Sequence, residues 1–170
     1  MNTAFGFPPL VDKEARILIL GSMPSEKSLA QRQYYAHPQN SFWYIMAELF
    51  TFDLALSYQE RVEKLLNNRV AVWDVIKTCK RKGSLDSSID NKSTIVNEFS
   101  LFYQSYPLIK SIFFNGTKAE AEYHKHVLPR LNNAEAKDFL SFRLPSTSPA
   151  MAMLSKPEKL KAWSIIKKYS

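Results

Sequence analysis

RILILGSMPS, residues 16–25, is five apolar or aliphatic-stemmed positions that run into a glycine and then into small, polar residues. The apolar part lacks clean alternation, which predicts a strand covered on both faces. Three further segments repeat the form: RVAVWD (69–74), IKSIFFNG (109–116) and FLSFRLP (139–145). The last alternates more and is expected nearer an edge. Helical patterns fall between them. Asn40–Phe50 carries a broad apolar stripe, Tyr58–Asn67 carries Val62, Leu65 and Leu66, and Thr94–Tyr106 carries Ile95, Val96, Phe99, Phe102 and Tyr103. Thr117–Leu128 follows the third strand with Thr117 as its expected N-cap, and Pro157–Tyr169 is the last helical pattern. Strands alternating with helices predict an α/β fold: a parallel sheet with helices on both faces. Lys77–Asn91 (KTCKRKGSLDSSIDN) is polar and basic and is expected to be a surface loop.

The chain has 170 residues, 45% hydrophobic and 23% charged, which suits one domain spanning 1–170. The single cysteine, Cys79, excludes an internal disulfide, a four-cysteine iron–sulfur cluster and a thiolate zinc site. There is no apolar run long enough for a membrane span, and Met1–Leu10 has no signal-peptide pattern, so a reducing, cytoplasmic setting is expected. His124 and His126 point to different faces of a helix, and no ligand spacing supports a metal or other cofactor. Twenty-three Lys and Arg against 16 acids give a net charge of +7. Nucleic acid is one partner that such a balance fits; a basic enzyme with a small-molecule substrate is the other.

In open α/β sheets ligands bind beyond the carboxyl ends of the strands. The residues there are Gly21-Ser22-Met23-Pro24-Ser25, Trp73-Asp74, Asn115-Gly116-Thr117 and Pro145-Ser146-Thr147-Ser148-Pro149. They are small, polar and backbone-permissive, as close approach of a phosphate-bearing ligand requires. The first lacks the ending of a P-loop and the spacing of a nucleophile elbow. YYAHPQNSFW, residues 34–43, places Tyr35 where a base can stack and Asn40 where a helix N-cap belongs. Asp74 ends a buried strand, a position that can raise its pKa or let it bond a substrate. Asp86 and Asp90 are expected to be solvated, and Lys77, Lys80, Arg81 and Lys82 are candidate phosphate contacts.

Taken in order, ILILGSMPSEKSL (17–29), YYAHPQNSFW (34–43), WDVIKTCKRKGSLDSSI (73–89) and LPSTSPA (144–150) resemble the uracil-DNA glycosylase superfamily, most closely its deoxyinosine (hypoxanthine) branch. The resemblance implies a three-layer α/β/α fold with a central four-stranded parallel sheet. It implies a monofunctional, cofactor-free DNA glycosylase that flips a deaminated base and hydrolyses its N-glycosidic bond, with hypoxanthine preferred and uracil second. The mismatch-specific relatives carry a water-positioning Asn where this chain has Met23; in the deoxyinosine branch that role falls to the residue matching Asn40. Tyr35 matches the aromatic that stacks on the base. Gly21, Ser22, Met23, Pro24, Asp74 and Asn115 fall in the base pocket, with Asn115 or backbone N–H groups near Ser22 as donors to the base carbonyl. Ser25, Ser146, Thr147 and Ser148 fall on the DNA backbone. Leu144 stands where some relatives have a His or Asn, so leaving-group activation from that position is not expected. Ser148 and Ala150 stand near the relatives' wedge positions, which leaves Met151 or Met153 as the wedge. The implied partner is double- or single-stranded DNA, bound by a monomer. A non-catalytic nucleic-acid-binding protein on the same fold and a nucleoside hydrolase are the competing readings.

Overall fold

The computed structural model describes residues 2–132 and 139–170. Four strands, β2 (Ile17–Gly21), β3 (Val70–Asp74), β6 (Ser111–Asn115) and β7 (Leu140–Leu144), form one parallel sheet in the order β3-β2-β6-β7. The registers are regular: Leu20 pairs with Trp73 and Phe114, and Asn115 with Leu144. Every residue of β2, β3 and β6 is buried, as strands covered on both faces must be. β7 is an edge strand whose first two residues are exposed, in keeping with its alternating sequence.

The pleat divides the core into two layers. Leu18, Leu20, Ala71, Trp73, Ile112 and Phe114 pack on one side with α4 (Phe99–Ser105) and α5 (Thr117–Glu122). Ile17, Ile19, Val70, Val72 and Phe113 pack on the other with α2 (Phe42–Phe50), α3 (Tyr58–Asn67) and α6 (Lys156–Trp163). A short α1 (Glu26–Gln31) follows the first strand-end loop. The helix patterns map onto these elements with shifted ends. α3 matches its span and starts in a capping box from Ser57 and Glu60, and α6 starts in another from Ser155 and Glu158. Thr117 is not a cap. Gly116 precedes the helix at φ +94, a conformation that favours glycine, and a Cβ there would press on Ser146 Cβ at 3.0 Å.

Three further expectations are corrected. The segment 77–91 is not a surface loop: β4 (Ile76–Arg81) and β5 (Ile89–Val96) pair antiparallel, and β1 (Asn2–Phe5) pairs with β4, giving a second, three-stranded sheet. Its inner face is small, with Ile76, Cys79 and Ile89 packed around Met23. Thr94–Val96 therefore belong to a strand, and the helix begins at Phe99. Arg81 is also not a phosphate contact. It is buried at 4% exposure and donates to the Pro24 carbonyl, which pins the loop after β2.

Candidate active site

A cavity of about 770 Å³ opens at the carboxyl ends of the parallel strands. This volume suits a small ligand rather than a protein segment. Its wall includes Gly21 to Ser25, Tyr35, Asn40, Asp74, Asn115 and Ser146 to Met151. The segments separated in sequence thus converge on one space.

The floor is built around Gly21. A Cβ on this residue would collide with Asp74 Oδ1 and lie 3.1 Å from the Tyr35 hydroxyl, so only glycine lets the two side chains lie over the strand end. Asp74 is 3% exposed, and its Oδ2 is buried with no hydrogen-bond partner among the described residues. The Tyr35 hydroxyl is likewise buried and unpartnered. Buried polar atoms without partners cost about 1–3 kcal/mol each, and both of these belong to side chains that line the cavity. Burial, reinforced by the neighbouring Asp86 carboxylate and opposed by Arg81, pushes the Asp74 carboxyl up to about 7. Burial and then the Asp74 charge push the Tyr35 hydroxyl far above its ordinary range, with the nearby Asn115 amide in opposition. Tyr35 therefore stays a neutral donor.

Asp86 is not a freely solvated carboxylate as expected. Although the residue is exposed on its outer side, its Oδ1 accepts from Ser22 Oγ at 2.5 Å, and burial of the carboxyl raises its pKa. The turn after β4 reaches the cavity wall through this bond, with Ser84, Leu85 and Ser87 beside it. Sequence reasoning missed this wall because its residues resemble ordinary solvated turn chemistry.

The mouth is formed by the segment before α2. Tyr35 adopts a left-handed φ of 55 and stacks on Phe42 at 4.0 Å between ring centroids, so one ring face is already covered. Trp43 Nε1 donates to the Tyr34 carbonyl, Tyr34 donates to the Pro8 carbonyl, and the Ala36 N–H donates to Ser28 Oγ, which together fix the segment. Asn40 Oδ1 accepts from the Phe42 N–H at 2.9 Å, supplying the helix cap that Ser41 does not. An amide oxygen has two acceptor sites, so this bond fixes the carboxamide and leaves one for a water.

The last wall is held from behind. Asn115 Oδ1 accepts from the Thr147 N–H and its Nδ2 donates to Thr147 Oγ1, both at 2.9 Å. Thr147 is fully buried, and the Ser41 N–H donates to its carbonyl. Thr147 therefore joins β6 to the mouth and offers no hydroxyl to a DNA backbone, and Asn115 spends its oxygen and one N–H on that joint. Ser25 is similar: its hydroxyl caps α1 by accepting from the Ser28 N–H. Ser146 and Ser148 are half-buried at the rim, where Lys159 Nζ donates to the Ser148 carbonyl from below. Met151 lines the cavity, and Met153 stands 88% exposed beyond it. Among the described residues no group of three His, Cys, Asp or Glu side chains is placed to hold a metal ion, and no helix is long and apolar enough to cross a membrane.

A hypoxanthine DNA glycosylase from Methanosarcina barkeri is 41% identical over 115 residues, 67% of this chain and 72% of that protein. One from Methanosarcina acetivorans is 38% identical over 141 residues, 78% of this chain and 88% of that protein. A solution NMR structure of a candidate uracil DNA glycosylase from Methanosarcina acetivorans superposes with a TM-score of 0.80 at 32% identity, over 98% of each chain. The family description "Uracil DNA glycosylase superfamily" matches residues 8–167, which takes in both cavity walls and all four parallel strands. The chain belongs to the uracil DNA glycosylase superfamily.

Proposed function

We propose that this protein is a monofunctional DNA glycosylase of base excision repair that removes hypoxanthine from deoxyinosine in DNA. The observation that carries this reading is the pairing, in one cavity, of a fixed carboxamide at the mouth with the Tyr35 hydroxyl and the buried Asp74 carboxyl at the floor, the Asp74 Oδ2 having no partner among the described residues. The names of the two relatives support the choice of base.

Hypoxanthine presents a carbonyl acceptor and an adjacent N–H donor where adenine presents an amine and a bare ring nitrogen. The Tyr35 hydroxyl donates, and Asp74, neutral below about pH 7, both donates and accepts. A base flipped into the cavity would give these atoms the partners they lack. Buried groups left unpaired by a wrong base are the strong source of discrimination in such a pocket. Uracil carries the same carbonyl and N–H pair and is the second substrate.

At the mouth Asn40 orients the attacking water through the open acceptor site of its oxygen, and its dipole favours positive charge growing on the sugar. The water oxygen bonds to C1′ as the C1′–N bond breaks. The base leaves with the bonding pair and takes up a proton, and the water's second proton passes to solvent. Asn40 is no general base at neutral pH, so its share of the rate is positioning and electrostatics. Ser146 and Ser148 meet the phosphates. The protein acts inside the cell, as a monomer, on double- or single-stranded DNA. Free deoxyinosine tests the reading against a nucleoside hydrolase: release of hypoxanthine from the oligonucleotide and not from the nucleoside supports it, and efficient turnover of the nucleoside contradicts it.

Met151 and Met153 supply the wedge that fills the gap left by the flipped nucleotide, in the manner of apolar side chains inserted between base steps. Met153 is the stronger candidate because an apolar side chain 88% exposed gains most from insertion. Met153→Ala is expected to reduce the fluorescence rise of a 2-aminopurine placed beside the lesion by at least half, with Met151→Ala smaller. Unchanged flipping in both variants would show that neither methionine is a wedge.

A further inference from the structure

We propose that a second groove, on the outer side of the Tyr35–Asn40 loop, seats the phosphodiester backbone next to the flipped nucleotide, with Arg61 and Lys156 as its anion contacts. This rests on the DNA glycosylase reading above and extends it to a surface whose two cations lie outside all four sequence motifs.

The groove has a volume of about 290 Å³ and shares Tyr35, His37 and Asn40 with the base cavity. The loop is thus a ridge with the cavity on one side and the groove on the other. A strand that drops one nucleotide into the cavity and runs on over this ridge meets the groove next. The groove's own side chains include Gln31, Gln33, Tyr44, Arg61 and Lys156, and no Asp or Glu lines it.

Both cations are poised rather than paired. The Arg61 guanidinium lies 4.7 Å from the Trp43 ring centroid, and Lys156 Nζ lies 5.6 Å from that of Tyr44. Neither makes an ion pair among the described residues, and Arg61 Nε is buried without an acceptor. A guanidinium resting on an aromatic face keeps its N–H edges free for a phosphate. Burial already disfavours the Arg61 charge, and an anion at that edge would offset this. Lys156 sits in the first turn of α6, where the helix dipole favours acids and opposes a cation. Helix stability therefore does not account for it; an anion in the groove does. A continuous backbone fits better than a free nucleotide, because the groove opens directly onto the ridge that holds Asn40.

The test is equilibrium binding, by fluorescence anisotropy, of an undamaged duplex and of a duplex with one uncleavable tetrahydrofuran abasic analogue, across 50–300 mM salt. Arg61→Gln and Lys156→Gln are each expected to weaken binding several-fold and to lower the slope of log K against log salt by about 0.9, and the double variant by about twice that. Arg61→Lys is expected to restore most of the slope. Lys110→Gln, at the opposite end of the sheet, is expected to change nothing. A purely structural role for Arg61 would lower stability without moving the slope, and Lys156 is exposed enough to be replaced without unfolding. Wild-type binding with unchanged slopes in both variants overturns the groove alone. Wild-type protein that binds neither duplex overturns the DNA glycosylase reading and the groove with it.

Discussion

Asp74→Asn is expected to stabilise the protein at pH 8 and not at pH 4. The folded protein holds the Asp74 proton up to about pH 7, whereas the unfolded chain releases it near 3.9. Between those values the folded state binds more protons than the unfolded one, so stability falls as pH rises through that window and is fully spared below it. The integrated cost of burying the charge is about 4 kcal/mol at pH 8. Asparagine avoids it but leaves an unpaired amide, at about 1–3 kcal/mol, so a net gain of about 1–3 kcal/mol remains. At pH 4 the charging cost has fallen to about 0.5 kcal/mol, so the same unpaired amide leaves a net loss of about 0.5–2.5 kcal/mol. Urea unfolding at the two pH values reads this directly, and an equal difference at both would show that Asp74 carries no buried charge. Excision should follow the same proton. Wild-type activity on deoxyinosine is expected to fall as pH rises through about 7, because the carboxylate accepts but cannot donate to the base carbonyl. Asp74→Asn, with a donor and an acceptor at every pH, is expected to flatten that arm. A profile untouched by the substitution would deny Asp74 any part in the chemistry. Keeping an ionisable group there costs stability above neutrality, as site residues commonly do.

Asn40→Ala is expected to slow single-turnover excision by about 100- to 1000-fold, the usual scale for losing one preorganised polar group at a reacting centre. It also removes the acceptor for the Phe42 N–H, at a cost of about 1 kcal/mol in stability. Asn40→Ser separates the two effects. Serine caps a helix about as well as asparagine, so melting should return to near wild type, while the rate stays low because the hydroxyl cannot reach with an amide's geometry. Recovery of both rate and stability in Asn40→Ser would reduce Asn40 to a cap.

The parallel sheet was legible because Ile17–Leu20, Val70–Trp73 and Ile112–Phe114 are apolar on both faces, a pattern that few other environments reward. The rim followed from the strand ends, and Gly21, Tyr35, Asn40 and Asp74 do line one cavity. The second sheet was not legible. Its strands bury only Ile76, Cys79, Arg81, Ile89 and Val96 in a polar stretch, with register shifts along β4–β5 that break the two-residue alternation. Arg81 misled for the same reason: its neighbours Lys80 and Lys82 are exposed, and only the packed hairpin turns it inward to Pro24. Asn115 and Thr147 each resemble site residues in sequence, yet they satisfy one another across 32 positions, a pairing set by tertiary structure alone. Ser25 carries the double meaning of every serine before a helix, and here capping claims its hydroxyl.

Excision of hypoxanthine from DNA is read out by single-turnover cleavage of labelled oligonucleotides. Deoxyinosine, deoxyuridine, deoxyxanthosine and a normal base would be compared in double and single strands, with alkali to break abasic sites. Abasic sites are expected to form rapidly at deoxyinosine, more slowly at deoxyuridine and not at the normal base, and the deoxyinosine signal is expected to be lost in Asn40→Ala. Tight, salt-dependent binding with no abasic site at deoxyinosine would contradict hypoxanthine excision and leave a DNA-binding protein on a glycosylase fold.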